Sequence, residues 1–323
     1  MPDLEYRHLS EETLGDMIAV VALSRAGLPY ERRLTHKEAM AFTFRDPDFD
    51  PRGTWLVALD DQAIGFGSAS VDSNRISAGK DDGRLDVDVI PAHRGKGIEW
   101  ELLNRSLGYL RSRGVAIALS RCYLDDEWKM SFLISNSFVE YYRVYDLVRK
   151  GRTEVPLAKL PEWFSLERKL FADHSDDEVV AFVEAFNESF LDHLNFAPEL
   201  PERFINWRDG LSDPMLITTA RKDDMIVGVC ASEESSLFNK EHGVSAGWVN
   251  ILGVRPQFRR RGLARAMLAD GIEWILGRGM DSIYIGVISE NEKALELYKS
   301  LGFEKEHEGI WFRRPVVLAD ANP

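Results

Sequence analysis

The 323-residue chain has few cysteines and no long apolar run. Its two cysteines, Cys122 and Cys230, give no disulfide framework, which is typical of a reducing compartment. Apolar stretches such as "MIAVVAL" are far too short to span a bilayer. The opening residues "MPDLEYRHLS" show no basic segment followed by a long apolar one, so no signal peptide is predicted. We therefore expect a cytoplasmic protein with no membrane partner.

The chain also lacks an excess of basic residues, and its histidines do not have the spacing of metal ligands. Its formal net charge is −13, from 40 Lys and Arg residues against 53 Asp and Glu residues. Phosphate binding normally requires a basic face, so this balance argues against a nucleic-acid partner and leaves a cationic or amine substrate open. The seven histidines do not follow a metal-ligand pattern, so no metal is expected.

What the sequence does contain is an internal repeat. The segments "HRGKGIE" (93–99, the first glycine loop) and "FRRRGLA" (258–264, the second glycine loop) each lie between an apolar stretch with a proline and a predicted helix. Arg259 lies 165 positions after Arg94, and the same offset pairs prolines, glycines and phenylalanines without a gap. A chain of this length accommodates two domains. We predict a duplication, with domains at 1–155 and 156–323 joined by the linker "KGRTEVPLAKLPEWF".

Both halves predict one mixed unit of helices and strands. In the second half the apolar periodicity switches several times between the strand and helix patterns. The predicted order is strand "ERKLF", helix 176–195, a short helix at 202–207, a hairpin around "KDD", strand "WVNILGVRP", the helix that opens at the second glycine loop, strand "DSIYIGVI", helix "ENEKALELYKSLGF" and strand "GIWFRRPVVL". The first half follows the same order, which predicts a mixed α+β fold twice.

The second glycine loop has the features of an anion-binding site. A strand that ends in a glycine-containing loop and opens a helix leaves several backbone N–H groups pointing one way, at the positive end of the helix dipole. Gly262 allows a ligand to approach the backbone, and the small Ala264 keeps the first turn of the helix clear. Three successive arginines, residues 259–261, add attraction for phosphate. A solvated helix start is the alternative interpretation.

A second motif follows at the expected distance. The segment "ENEKALELYKSLGF" contains Asn291, Ala294 and Tyr298. With both motifs in this order, the second half resembles the GNAT superfamily of acyl-CoA-dependent N-acyltransferases, and the first half resembles it as a second copy. The resemblance implies two tandem domains, each with a mostly antiparallel central sheet flanked by helices. It also implies acetyl-CoA as cosubstrate and transfer of its acetyl group to a primary amine of a small molecule.

The resemblance further implies roles for individual residues. Backbone amides of the second glycine loop would bind pyrophosphate, a nearby strand would bond the pantetheine and polarise the thioester carbonyl, and Asn291 would bond the pantetheine arm. Tyr298 would protonate the departing thiolate as general acid. A core role for Tyr298 and a helix-cap role for Asn291 are the alternatives. The implied cofactor-binding residues are Leu252, Gly253, Val254, Arg259, Arg260, Arg261, Gly262, Leu263, Ala264 and Asn291.

The general base is not fixed by the motifs. One tandem member of the superfamily places a Glu eleven residues ahead of the position of Arg259, but that position here is Trp248, which cannot act as a base. Glu233 and Glu234 end the second strand of the hairpin, and His193 falls in the region that lines the acceptor pocket in this fold. A surface acidic pair and a packing histidine are the alternative interpretations of these three residues.

The first half departs from the pattern at the same positions. The offset of 165 places Glu99 at Ala264, Asp126 at Asn291, Lys129 at Ala294 and Leu133 at Tyr298. A carboxylate about 5 Å from one phosphate charge, at an effective dielectric near 20, costs roughly 3 kcal/mol. We therefore expect chemistry in the second half only, with a structural first half; weak cofactor binding with a regulatory role is the alternative.

Two other functions remain open at this point, together with the assembly state. The chain is alternatively a non-catalytic acyl-CoA-binding or scaffolding protein, or an enzyme that acetylates a protein or peptide amine. An intact Tyr298 and Asn291 favour an enzyme, since a binder does not need the acid. A monomer and a homodimer are both compatible with the sequence.

Overall fold

The computed structural model of the chain describes residues 4–28, 32–153, 155 and 160–317. These residues form two compact units. Unit 1 comprises the chain up to residue 142 together with the residues from 309 onward, and unit 2 comprises residues 143–308. No helix in the described ranges is both long enough and apolar enough to cross a membrane.

The first half of the chain supplies six strands and five helices of the described structure. The strands are β1 (Leu4–Arg7), β2 (Thr54–Leu59), β3 (Gln62–Ser70), β4 (Asp82–Val89), β5 (Ile117–Tyr123) and β6 (Val139–Lys150). The helices are α1 (Leu14–Ser24), α2 (His36–Phe42), α3 (Ser73–Ser77), α4 (Ile98–Ser112) and α5 (Glu127–Ser135).

The second half repeats this content. Its strands are β7 (Ser165–Leu170), β8 (Met215–Lys222), β9 (Met225–Glu234), β10 (Ala246–Val254), β11 (Ser282–Ile288) and β12 (Glu304–Pro315). Its helices are α6 (Asp176–Phe190), α7 (Pro201–Gly210), α8 (Ser236–His242), α9 (Leu263–Gly277) and α10 (Glu292–Ser300).

Each unit has a mostly antiparallel sheet with one parallel pair. In unit 1 the strand order is β1-β2-β3-β4-β5-β12, and β4 and β5 run parallel. In unit 2 the order is β7-β8-β9-β10-β11-β6, and β10 and β11 run parallel. The predicted fold class is confirmed, because both units have the mixed architecture that the resemblance implies.

The last strand of each half belongs to the other half's unit. Residues 144–150 of β6 pair antiparallel with β11, from Val144 opposite Ile288 to Lys150 opposite Ser282. Residues 309–315 of β12 pair antiparallel with β5. The compact units therefore do not follow the predicted division at 155/156. Part of the predicted linker, residues 154 and 156–159, lies outside the described residues, and the division into two sequence domains stays a prediction.

Helix α9 covers the sheet of unit 2 and illustrates why these segments fold as predicted. Leu263, Met267 and Ile275 recur at helical spacing, and all three are buried in one core cluster with β9, β10 and β11. The helix begins at Leu263, after Gly262, and Gly279 with φ of +94° follows its end. The sequence of α9 therefore predicts both the face that is buried and the residue after which the helix ends.

Two details of the second half differ from the expectations. Helix α6 ends at Phe190, five residues before the predicted end, because residues 191–195 form a turn in which Asn195 is left-handed with φ of +60°. Helix α8 was not predicted, since its seven residues "SLFNKEH" carry only one buried apolar side chain, that of Phe238. Short helices of this kind leave little periodicity to detect.

Candidate active site

The second glycine loop ends in a left-handed glycine that starts α9. Gly262 has φ of +81°, and a Cβ built on it would meet nothing within 4 Å, so glycine is needed there for its backbone conformation and not for space. The first hydrogen bond of α9 is donated by the Ala266 N–H to the Gly262 carbonyl oxygen. The N–H groups that precede it have no acceptor within the helix, as expected for a helix start that binds an anion.

The Arg259 side chain fastens this loop to helix α6. Its Nε donates to the Val254 carbonyl oxygen at 3.0 Å, and its Nη2 donates to the Ser189 carbonyl oxygen at 2.9 Å and to Asp192 Oδ1 at 2.8 Å. The Arg259 guanidinium holds the pKa of Asp192 at about 2. Arg259 is thus ion-paired with Asp192, and its attraction for phosphate, like that of the other two arginines, stays a prediction.

A cavity of about 900 Å³ opens beside the loop, where two strands separate. The parallel pairing of β10 and β11 ends at Val249 opposite Ile285, and beyond this point β10 pairs with β9 while β11 pairs with β6. The predicted cofactor-binding residues line this cavity except Arg261. Those that line it are Leu252, Gly253, Val254, Arg259, Arg260, Gly262, Leu263, Ala264 and Asn291.

Tyr298 lies on α10 at the wall of the same cavity. Its side chain is only 6% exposed, and its ring packs at 6.0 Å from the ring of Phe303. Burial raises the pKa of the Tyr298 phenol well above its ordinary value of 10, so the group stays protonated at neutral pH. Tyr298 thus serves the core and the cavity at once, and a protonated phenol at this wall is able to donate a proton.

Asn291 caps α10 in addition to lining the cavity. Its Oδ1 accepts a hydrogen bond from the Ala294 N–H at 3.2 Å. The helix-cap interpretation of the sequence is therefore correct for the side-chain oxygen. The side-chain NH₂ group is a separate donor, and its bond to a pantetheine arm stays a prediction.

The three predicted base candidates lie in different places. His193 lines the cavity, packs edge-on against Phe190 with ring centroids 4.6 Å apart, and has its pKa lowered by burial, which favours the neutral ring. Glu233 is 1% exposed on β9 opposite Trp248 and does not line the cavity. Glu234 is ion-paired with Arg278 at 2.8 Å and does not line it either. Only His193 is brought to the site.

In unit 1 the equivalent loop is occupied by its own side chain. The Gly95 N–H donates to Glu99 Oε1 at 2.6 Å, so the carboxylate takes a backbone donor that an anion would use. Gly97 keeps the left-handed conformation of Gly262, with φ of +87°. Arg94 repeats the contacts of Arg259, since it donates to the carbonyl oxygens of Val89 and Ser24. The first glycine loop thus keeps the backbone conformation of the second, but Glu99 accepts the hydrogen bond of its Gly95 N–H.

Unit 1 contains an ion network between side chains of β4, α5 and the end of α1. The network consists of Arg25, Asp86, Asp88 and Lys129, where Arg25 bonds both carboxylates at 2.6 and 2.8 Å and the Lys129 ammonium bonds Asp86. Asp88 and Lys129 are buried. Lys129 stands at the position of Ala294, a cavity residue of unit 2. Charged side chains therefore lie where unit 2 has its cavity wall.

Several cavity residues were missed by the sequence analysis. Asn250 is the extra residue of a β-bulge in β10 between Val249 and Ile251, which no motif marks. Val144 lines the cavity from β6, although it belongs to the first half of the sequence. Gly286 lines it from β11, opposite Asp146 of β6. The last two depend on a strand pairing that the repeat does not reveal.

The family comparison agrees with this geometry. The model described as the acetyltransferase (GNAT) family matches the chain twice, over residues 22–132 and 179–303. The chain belongs to the GNAT family. It is a tandem GNAT N-acetyltransferase, and the enzymes of this family use acetyl-CoA.

Two relatives match this chain over nearly the full length of both proteins. The "Mycothiol acetyltransferase" of Thermobispora bispora is 26% identical over 313 residues, which covers 94% of this chain and 97% of the relative. That of Kytococcus sedentarius is 25% identical over 330 residues, which covers 98% and 99%. The resemblance to mycothiol synthase is confirmed by these relatives. This chain has Trp248 at the position where the sequence analysis looked for a glutamate base.

Solved structures support the fold. A "Tandem GNAT protein from the clavulanic acid biosynthesis pathway" has a TM-score of 0.75 at 16% identity, covering 98% of this chain and all of its own. A GCN5-related N-acetyltransferase from Sphaerobacter thermophilus has a TM-score of 0.68 at 17% identity, covering 99% of this chain and 98% of its own. At these identities the likeness is one of fold.

Proposed function

We propose that this GNAT enzyme transfers the acetyl group of acetyl-CoA to a primary amine of a small molecule, with its chemistry in unit 2 alone. The observation that carries the proposal is the contrast between two equivalent loops. The second glycine loop opens onto a cavity that reaches Tyr298, whereas the Gly95 N–H of the first is taken by Glu99. In unit 1 the ion-paired Lys129 also stands at the position of the cavity residue Ala294. The names of the full-length relatives support a small-molecule acceptor.

The residues of unit 2 fit acetyl-CoA at three points. The N–H groups at the start of α9 suit the pyrophosphate, with Gly262 open on its outer side. The separated edges of β10 and β11 offer backbone groups to the pantetheine. An amide among Leu252, Gly253 and Val254 would polarise the thioester carbonyl as charge develops on its oxygen.

The proton transfers are assigned to two residues of the cavity wall. Burial keeps His193 neutral at pH 7, so its ring is ready to accept the proton that the acceptor ammonium must lose. The neutral amine then forms the C–N bond as the C–S bond breaks. Burial keeps Tyr298 protonated, so its hydroxyl is ready to protonate the thiolate. The second proton lost from nitrogen restores Tyr298 and balances the step.

An acceptor screen tests this proposal. Purified chain and acetyl-CoA would be incubated with monoamines, amino sugars, amino acids and short peptides while thiol release is followed and the products are weighed by mass spectrometry. We expect acetylation of at least one small amine. Acetylation of peptides alone would show a protein-directed enzyme, and cofactor binding without any product would show a scaffolding protein.

A pair of variants tests the assignment of the base. His193→Gln removes the titrating ring at the cavity, and Glu234→Gln removes a carboxylate that is paired with Arg278 outside it. We expect His193→Gln to lower turnover by about tenfold to a hundredfold or more, since general bases contribute at least that much. Glu234→Gln should leave turnover close to wild type. The reverse result would move the base to Glu234.

A further inference from the structure

We propose that Asp146 binds the ammonium group of the acceptor, so that a strand from the first half of the sequence sets the enzyme's preference for cationic amines. This inference rests on the proposed function and adds the group that recognises the substrate's charge. It concerns a residue outside every motif of the sequence.

The placement of Asp146 follows from the strand register. On β6 it stands directly opposite Gly286 of β11, one residue beyond the last parallel pair between β10 and β11. Gly286 lines the cavity, as does Val144, two residues before Asp146 on the same strand. The Oδ1 atom of Asp146 lies 3.7 Å from the position that a Cβ on Gly286 would occupy. Asp146 does not itself line the cavity, but its carboxylate lies beside Gly286, where the wall has no side chain.

The position also suits the chemistry of the acceptor. The thioester is expected near the point where β10 and β11 separate, and Gly286 follows that point directly. Asp146 is partly exposed, so its carboxylate is not sealed in the core. A carboxylate that contacts a primary ammonium makes a charge-assisted hydrogen bond, which is stronger than a neutral one and holds the nitrogen in place.

Unit 1 provides an internal comparison. The offset of 165 places Arg121 at Gly286 and Trp311 at Asp146, and these two residues are indeed opposite each other on β5 and β12. There the Trp311 ring stacks on Tyr142 with centroids 5.9 Å apart, and the Arg84 guanidinium lies 5.6 Å from its centre. The unit with the blocked loop thus has a cation and an aromatic stack, whereas the unit with the open loop has glycine and a carboxylate.

The role assigned to Asp146 is binding, and the proton balance stays as given above. The ammonium contacts the carboxylate on arrival, loses one proton to His193, and the resulting amine attacks the thioester carbonyl. No proton has to remain on Asp146. Removing its charge should therefore weaken capture of a charged acceptor and leave transfer to an uncharged nucleophile intact.

The test compares Asp146→Asn with Asp223→Asn, the same substitution in the exposed turn between β8 and β9, where the left-handed backbone accepts asparagine. Acceptors are the best amine of the screen and hydroxylamine, which is uncharged at neutral pH. For Asp146→Asn we expect kcat/KM toward the amine to fall by about tenfold or more, mainly through KM. Transfer to hydroxylamine and the KM for acetyl-CoA should stay within about twofold. Asp146→Glu should recover part of the loss.

Each contrary outcome has a distinct meaning. Equal losses toward the amine and hydroxylamine, or weaker acetyl-CoA binding, would overturn the inference in favour of a structural role. Wild-type behaviour of Asp146→Asn with the amine would overturn it while the proposed function stands. A wild-type enzyme that transfers to hydroxylamine but to no amine would overturn the proposed function and this inference together.

Discussion

The Gly95 N–H donates a hydrogen bond to the Glu99 carboxylate, four residues further along the chain, at 2.6 Å. At the equivalent positions of unit 2, Arg260 has the same left-handed conformation, with φ of +65°, and Ala264 has no group to accept from it. The side chain at this one position thus decides whether the loop N–H is bonded within the loop, as in unit 1, or is left for a ligand, as in unit 2.

Ala264→Glu should convert the second glycine loop into a copy of the first. We expect acetyl-CoA affinity to fall by at least about tenfold, because the carboxylate both repels phosphate and takes the Arg260 N–H. Titration calorimetry at low and high salt measures the affinity, and the part of the loss that is due to charge repulsion should become smaller as the salt concentration rises. Ala264→Gln is the neutral control of the same size. If both variants lose affinity equally at all salt concentrations, steric blockage and not charge explains the first glycine loop.

Acetyl-CoA should bind with a stoichiometry of one per chain. Glu99→Ala frees the Gly95 N–H but leaves the ion network of Arg25, Asp86, Asp88 and Lys129 in place, so we expect it to restore little binding in unit 1. Titration calorimetry of wild type and Glu99→Ala counts the sites. Two equal sites in the wild-type enzyme would contradict the expectation that acetyl-CoA binds in unit 2 alone.

Tyr298→Phe should lower turnover far more than cofactor affinity, because the ring packing is kept and only the hydroxyl is lost. Since burial raises the pKa of Tyr298, the acid stays protonated past pH 10, and alkaline loss of activity should not begin near its ordinary value. Rates under pre-steady-state conditions and a pH profile check both points. Unchanged chemistry, with product release excluded as the slow step, would make Tyr298 a packing residue.

Asp88 should make unit 1 sensitive to acid. Burial alone would raise the pKa of Asp88, but the charges of Arg25 and Lys129 lower it below its ordinary value of 3.8. Its stabilising contribution is therefore present above about pH 4 and is lost as the pH falls toward the folded pKa. Asp88→Asn should reduce the free energy of unfolding at pH 7 by about 3 kcal/mol and flatten its dependence on acid.

Urea unfolding at pH 7 and pH 3, with hydrogen exchange of β4 to follow unit 1, measures this effect. Asp60→Asn, in the exposed turn between β2 and β3, is the matched control, because asparagine accepts its left-handed backbone. Equal stability of Asp88→Asn and Asp60→Asn at pH 7 would show that the ion network contributes little net stability.

The sequence predicts the parts of the site that depend on local pattern. The glycine loops, the start of α9 and the positions of Leu252, Gly253 and Val254 follow from residues that are close together in the chain, and the structure places them around one cavity. His193 could be named but not preferred over Glu233 or Glu234. That choice depends on which side chains reach the cavity, which is a property of the packing.

Long-range pairing is what the sequence could not provide. The constant offset of 165 makes the two halves look like consecutive domains, so nothing in the pattern reveals that β6 pairs with β11 or that β12 pairs with β5. Asp146 and Val144 reach unit 2 only through that pairing. The bonds of Arg259 to Ser189 and Asp192 span 70 and 67 positions, and they fasten the loop to α6 in a way that the local sequence does not indicate.

The exchange of final strands bears on how the protein is made. While the chain leaves the ribosome, β5 emerges early, but the segment that completes its sheet edge, residues 309–315, is translated only after all of unit 2. Until then the nascent first half exposes an open strand edge, a known template for wrong pairing. Separate expression of residues 1–155 would leave that edge uncovered permanently. Biosynthesis thus couples completion of unit 1 to completion of unit 2.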